Sequence, residues 1–184
     1  MPLLLAGCGE DTESRISSPP PQLERYVAHG VAVVLPAGWQ HALSPLTPNL
    51  SDPREVLAVG TYPLRYRPTR CAHLPVSALE DMGPRDAFVT LQERGRDPSS
   101  SWPDFPPRPS HFGLERGGPS EASACEPHSH FADHWFGFSD SGRHFHVLVA
   151  FGPEAPATTQ QQAWAILDSV QVDPTMLPDW PSSG

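Results

Sequence analysis

The chain has 184 residues, which is the length of one domain with short tails. Its formal net charge of -9 argues against nucleic acid as a partner, because nucleic-acid recognition needs a basic surface. All 12 basic residues are Arg, so the lysine that forms Schiff bases in many enzymes is missing.

The chain opens with Leu5-Ala6-Gly7-Cys8, which matches the lipobox where bacterial lipoproteins are lipidated on cysteine and cleaved. We therefore predict lipidation of Cys8 and interpret residues 1–8 as the remainder of a lipoprotein signal. They contain no Arg or Lys and no full apolar region, so we expect the true start codon to lie upstream. The alternative is a cytoplasmic domain in which the four-residue match is coincidence.

Residues 9–24 are polar and rich in Pro and Ser, a composition typical of a tether. Two acyl chains on Cys8, at about 0.8 kcal/mol per buried CH₂, would anchor the protein stably in a lipid bilayer. The sequence therefore predicts a cell-membrane protein that is lipid-anchored on the extracytoplasmic face.

The first half of the domain is dominated by short apolar runs that Pro and Gly interrupt. Gly30 to Leu35 and Trp39 to Leu43 flank Pro36-Ala37-Gly38, which predicts a β-hairpin with a broad turn. Two further strands are predicted at Arg54 to Tyr62 and Ala87 to Glu93. Between them, Ser77 to Pro84 predicts a short helix with a Ser cap and a Gly-Pro stop.

A Pro-rich loop follows from Gly95 to Ser120, and its length is typical of a functional or disordered segment. Its aromatic residues Trp102, Phe105 and Phe112 either form an exposed patch for a partner or pack back on the domain.

The last third of the chain predicts a β-hairpin and then a helix. The hairpin runs from Phe131 to Phe138 and from Arg143 to Phe151. Thr158 or Thr159 has the capping-box spacing to a Gln at the start of the helix. The helix bears one apolar stripe, and a short strand around Val170-Gln171-Val172 precedes the tail 175–184. The stripe consists of Ala163, Ile166, Leu167 and Val170.

These elements predict a single α+β domain over residues 25–174, with a mostly antiparallel sheet and a C-terminal helix packed on one face. Two segments, Val33 to Trp39 (VVLPAGW) and Ala165 to Val170 (AILDSV), resemble the opening and closing segments of predicted lipoproteins from high-GC Gram-positive bacteria. Some of those lipoproteins are similar to the PsbP and Mog1 type of α/β/α sandwich. The resemblance implies an antiparallel sheet flanked by helices and no shared enzymatic activity.

The cysteines fit an oxidising compartment. If Cys8 is lipidated, Cys71 and Cys125 remain as an even pair, and we predict a disulfide between them. In a cytoplasmic protein they would instead be two unrelated buried thiols.

Five histidines lie in or beside the predicted C-terminal hairpin: His128, His130, His134, His144 and His146. Imidazole is a common ligand of zinc and copper, so a metal site on His130, His134, His144 and His146 is an alternative function. A three-residue turn ending in Gly142 would place all five on one face of the hairpin. A two-residue turn at Asp140-Ser141 would put His134 on the apolar face and His144 and His146 on the other. In the simplest interpretation, Arg143, His144 and His146 are polar positions of a half-exposed strand.

No catalytic motif is apparent, which favours a non-enzymatic binding or structural domain. Gly137 to Ser141 (GFSDS) approaches the Gly-x-Ser-x-Gly nucleophile elbow, but its second Gly is replaced and a hairpin replaces the strand-to-helix turn. The sequence thus predicts an envelope lipoprotein first, an extracytoplasmic metal-binding protein second and a cytoplasmic domain third.

Overall fold

The computed structural model describes residues 23–68, 74–95, 105–114 and 132–176. These residues form strands and helices in the order β1 (Glu24–Ala28), β2 (Val31–Leu35), β3 (Gln40–His41), β4 (Arg54–Gly60), α1 (Val76–Asp81), β5 (Ala87–Arg94), β6 (Ala132–Asp140), β7 (Arg143–Phe151), α2 (Ala157–Asp168) and β8 (Gln171–Val172). Within the described residues, neither helix has the length and apolar character needed to cross a membrane.

The strands form two sheets in which all paired neighbours are antiparallel. One sheet has three strands in the order β1-β2-β8, and the other has five in the order β3-β4-β5-β7-β6. The predicted α+β class, with a mostly antiparallel sheet and a C-terminal helix on one face, is confirmed.

The main core lies between the inner face of the five-stranded sheet, α2 and the inner face of the three-stranded sheet. The predicted stripe of α2 faces this core: Ala163, Ile166 and Leu167 are fully buried, and Val170 is buried just beyond the helix. The Trp39 indole also packs here and donates a hydrogen bond to Gln162 Oε1 at 3.0 Å. The helix is thus held by apolar packing together with a specific polar contact.

A smaller core lies on the opposite face of the five-stranded sheet, which we call its outer face. There Leu79 of α1 packs near Phe88 and Leu148 of the sheet. The hydroxyl of Tyr62 donates to the carbonyl of Ala78 at 2.7 Å. Burial of this hydroxyl raises the pKa of Tyr62 well above its usual value.

Both predicted helix caps are wrong. Pro75 and Pro156 occupy the N-cap positions of α1 and α2, and neither helix has a side-chain cap. Ser77 lies inside α1, where it is buried and donates to the carbonyl of Arg65 at 3.1 Å. The fixed φ of Pro suits a helix start, so the chain enters both helices without the predicted hydroxyl.

The predicted N-terminal hairpin is also wrong. β2 pairs with β1 through a turn at His29 and Gly30, which have φ values of 50° and 71°, whereas β3 pairs with β4 in the other sheet. The chain crosses between the sheets at residues 36–39. The reason for the error is that β1 is half polar and adjoins the tether, so it lacks the apolar run that marked the other strands.

The C-terminal hairpin is confirmed, but its turn differs from both predicted registers. Asp140 pairs with Arg143 and Phe138 with Phe145. The two loop residues are Ser141 and Gly142, with φ values of 50° and 73°. Positive φ at both positions is the property of a type I′ turn, whose twist matches that of antiparallel strands.

Candidate functional site

The histidines of the hairpin lie on two different faces of the five-stranded sheet. His134 is opposite Val149 on the inner face, and its ring lies 6.2 Å from that of Phe151. His144 and His146 point to the outer face, because they are in register with Ser139 and Gly137. The register that brings five histidines together is therefore wrong, and the faces are those of the two-residue alternative.

The proposed set of metal ligands is split by this arrangement. His134 is separated from His144 and His146 by the sheet itself, and His130 lies outside the described residues. Among the residues that the structure describes, no group of three or more His, Cys, Asp or Glu side chains is placed to hold a metal ion.

The outer face instead carries a polar row that crosses three strands, formed by Glu55, Gln92 and His146. Gln92 on β5 is directly opposite Glu55 on β4 and His146 on β7. Arg94 and His144 form the next pair along the same face. Sequence reasoning included His144 and His146 but missed the neighbours on β4 and β5, because cross-strand pairing is not readable from one strand.

His146 is held in its neutral form by burial and by the neighbouring Arg94. The Nε of Arg94 donates a hydrogen bond to Nε2 of His146 at 2.6 Å, so Nε2 is the acceptor and the ring proton is on Nδ1. Burial, and after it the positive charge of Arg94, lower the pKa of His146 from its usual value to about 4. A metal ion at Nε2 would have to displace this contact.

Glu55 uses its carboxylate to fix the loop that precedes β4. It accepts hydrogen bonds from the backbone N–H of Leu46 and Thr47 and from the Thr47 hydroxyl, at 3.0 to 3.1 Å. Burial raises its pKa, and these hydrogen bonds oppose the shift. Beside it, Gln92 is only 2% exposed, and its Nε2 has no hydrogen-bond partner among the described residues.

Residues 105–114, which we call the strap, cover one end of the outer face. The Phe105 ring meets His146 edge-on at 4.7 Å and lies over Gly137, where an added Cβ would be 2.4 Å from the ring. Phe112 is buried in the main core. Both aromatic residues therefore pack back on the domain, as one of the two interpretations predicted, whereas Trp102 lies outside the described residues.

The strap is also hydrogen-bonded to the hairpin and to α2. The Ser139 hydroxyl donates toward the carbonyls of Phe105 and Pro106, each at 3.2 Å, so it serves the strap. The guanidinium of Arg108 donates to three carbonyls at the C-terminal end of α2, those of Leu167, Asp168 and Val170. These contacts satisfy carbonyls that a helix end leaves without partners.

A buried ion pair lies at the inner face, between the two sheets. Arg143 is bonded through Nε and Nη2 to both oxygens of Glu93 and also donates to the carbonyl of His29. Arg54 adds a contact to Glu93 at 2.9 Å. The prediction that Arg143 occupies a half-exposed position is wrong, because its guanidinium is buried against Glu93. Sequence reasoning missed this pair, although Glu93 is in phase with the buried Val89 and Leu91 and so shares their face.

The outer face of the three-stranded sheet carries an open groove of about 280 Å³. Its lining combines apolar and polar side chains, contributed by β1, β2, β8 and the residues that follow β8: Arg25, Val27, Ala32, Gln171, Asp173 and Met176. Val27 and Met176 are about half exposed, at 55% and 52%.

The three predicted modification sites, Cys8, Cys71 and Cys125, lie outside the described residues. In the described part, the charged groups of the polar row, the strap and the buried pair bond mainly to one another and to backbone. The arrangement holds strands, strap and helix together. Neither the family models nor the characterised proteins with which the chain was compared match it.

Proposed function

We propose that this chain is a lipid-anchored protein of the bacterial cell envelope, on the extracytoplasmic face, and that its domain has a binding or structural role. The observation that carries the proposal is the sequence Leu5-Ala6-Gly7-Cys8 followed by a polar, Pro-rich segment. Diacylation of Cys8 would supply two buried chains, which is enough for stable anchoring.

The character of the polar groups supports a non-catalytic role. A general base or nucleophile must be free to exchange a proton with a substrate. Here Arg143 and Glu93 are buried against each other, and Arg108 is bonded to the end of α2. His146 has its Nε2 bonded to Arg94. These groups stabilise the fold. A domain whose polar groups are used in this way acts by presenting its surface to a partner.

The test is intact mass spectrometry of protein made from the longest upstream start in a GC-rich Gram-positive host. We expect a membrane-bound species that begins at diacylated Cys8. The Cys8→Ser variant is the matched control and should appear in the soluble or secreted fraction without the lipid mass. Reduction should add about two mass units if Cys71 and Cys125 form the predicted disulfide.

An unmodified chain with the same distribution in wild type and Cys8→Ser would show that the lipobox is coincidental. The envelope location would then be abandoned. The predicted disulfide would also lose its support, because it depends on an oxidising compartment.

A further inference from the structure

We propose that the outer face of the three-stranded sheet is a membrane-docking face, which rests on the bilayer that holds the lipid anchor. The inference rests on the proposed function, since it requires lipidation of Cys8. It adds an orientation of the domain and assigns an occupant to the groove between β1 and Met176.

The exposed apolar side chains are concentrated on this face. Among the described residues, three of the six exposed large hydrophobic side chains lie on this face or directly beside it: Val27, Met176 and, just before β1, Leu23. Side chains alternate along β1, and Tyr26 packs into the core. Arg25 and Val27 therefore point outward, Leu23 directly precedes the strand, and Val27 and Met176 line the groove.

The position of the anchor favours this same face. The described chain begins at Leu23, and 14 residues separate it from Cys8. Even fully extended, 14 residues span no more than about 50 Å. The tether ends at Leu23, next to the strand β1 that bears the proposed docking face, so this face lies within that distance of the anchor. Because the tether keeps the domain close to the bilayer, the effective concentration of lipid surface is in about the millimolar range. A face with few apolar side chains is then sufficient to dock.

The charges also favour a defined orientation. Arg25 lies between Leu23 and Val27, where it can contact lipid phosphates. The opposing carboxylate, Asp173, accepts hydrogen bonds from both the N–H and the hydroxyl of Thr175. The whole chain carries a formal net charge of -9, so an anionic lipid surface repels the chain in general, and Arg25 is the basic group of this face that can turn toward it.

Met176 provides a natural probe of the face. It is 52% exposed, whereas Met82 is buried at 3% and serves as the internal control. Lipidated protein is inserted into the outer leaflet of preformed phosphatidylcholine and phosphatidylglycerol vesicles and treated with chloramine-T, an anionic oxidant that lipid excludes. Mass spectrometry then gives the rate of sulfoxide formation at each methionine.

We expect the oxidation rate of Met176 to be at least about fivefold lower on vesicles than in the soluble Cys8→Ser chain. A fivefold decrease corresponds to roughly four docked molecules in five. The Leu23→Ser/Val27→Ser variant should lose this protection. Leu43→Ser/Leu114→Ser is the matched control, because it removes two exposed leucines elsewhere, at 93% and 52% exposure, and should keep it. Met82 should react equally slowly in every sample.

If mass spectrometry shows that the chain is lipidated but Met176 is oxidised equally fast on vesicles and in the soluble chain, the docking face is overturned and the anchor stands. Slow oxidation of Met176 in the soluble chain would also overturn it, since another part of the protein or a second copy would then cover the face. A chain without lipid at Cys8 would remove both the docking face and the proposed function.

Discussion

Arg143 and Glu93 form a doubly hydrogen-bonded ion pair inside the protein, with Nε–Oε1 and Nη2–Oε2 distances of 2.6 Å and 2.8 Å. Their side chains are 3% and 1% exposed. Arg143 also donates to the carbonyl of His29 in the β1–β2 turn at 2.9 Å, so one guanidinium joins the two sheets. Because a buried charge needs a partner, either residue alone is unfavourable at this place.

We predict that Arg143→Met or Glu93→Gln destabilises the domain by about 3 to 5 kcal/mol, since each removes the doubly hydrogen-bonded partner of a buried charge and leaves only weaker contacts, such as that of Arg54 with Glu93. The double variant Arg143→Met/Glu93→Gln should lose less than the sum of the single changes. Urea unfolding at neutral pH measures these differences.

The exposed pair between Arg67 and Asp81 is the matched control, because it also has two short contacts, from Nη1 of Arg67 to both carboxylate oxygens at 2.7 Å and 2.6 Å. Arg67→Met should leave the unfolding midpoint unchanged, because water solvates both partners. If Arg143→Met had as small an effect as Arg67→Met, the buried pair would not hold the sheets together.

Periodicity along the chain predicted the elements whose signal is local. The α2 stripe, β5 and the C-terminal hairpin carry such patterns, and all three are confirmed. β1 was missed, because its pairing with β2 depends on a tight turn at His29-Gly30 and not on an apolar run.

The candidate site was less predictable because it depends on register. A shift of one residue in the hairpin turn decides whether His134 and His146 lie on the same face of the sheet. The two-residue loop at Ser141-Gly142 settles this relationship, and a Ser with positive φ is uncommon enough that sequence favoured other turns. The partner of His146, Arg94, comes from another strand and could be found only once β5 was placed beside β7.

The ring of Phe105 lies over Gly137 and leaves no room for a side chain there. We therefore predict that Gly137→Ala destabilises the protein by about 1 to 3 kcal/mol through overpacking. The added Cβ would lie 2.4 Å from the ring. At an unobstructed strand position, the same change would stabilise by about 0.5 to 1 kcal/mol, since Gly loses more entropy on folding. Thermal unfolding of the variant measures the sign.

The effect of Gly137→Ala in a Phe105→Ala variant separates overpacking from backbone effects. In Phe105→Ala, the ring is gone, and Gly137→Ala should cost little or become stabilising. An equal cost in both backgrounds would show that the strap does not explain the glycine.

Arg108 stabilises the C-terminal end of α2, and we predict that Arg108→Met costs about 1 to 2 kcal/mol, because three carbonyls lose a charged donor. The loss should be local. Hydrogen exchange should accelerate at the amides of Ser169 and Val170, which close the last turn. Arg85→Met, at an exposed position, is the control and should leave these amides unchanged. Uniform acceleration across β5 would indicate global destabilisation instead.

His146 predicts a specific dependence of stability on pH. Its pKa is lowered from 6.5 to about 4 in the folded protein, mainly by burial and then by Arg94. Between these values the unfolded chain binds a proton that the folded chain does not, so stability falls as pH falls from 6.5 to about 4. The effect is absent above pH 6.5. Since water reaches part of the ring, we expect a loss of about 1 to 2 kcal/mol.

Glu55 acts in the opposite direction, because its pKa is raised in the folded protein and acidification relieves the buried charge. The contribution of His146 is therefore measured as the difference between wild type and His146→Gln, whose amide oxygen can still accept from Arg94 but does not titrate. We expect this difference to change between pH 6.5 and 4 and to be constant from 7 to 9. NMR titration of the ring should show a neutral Nδ1–H tautomer throughout the neutral range. A ring that titrates near 6.5 would contradict the buried Arg94–His146 contact, because a protonated imidazole has no lone pair to accept from the guanidinium.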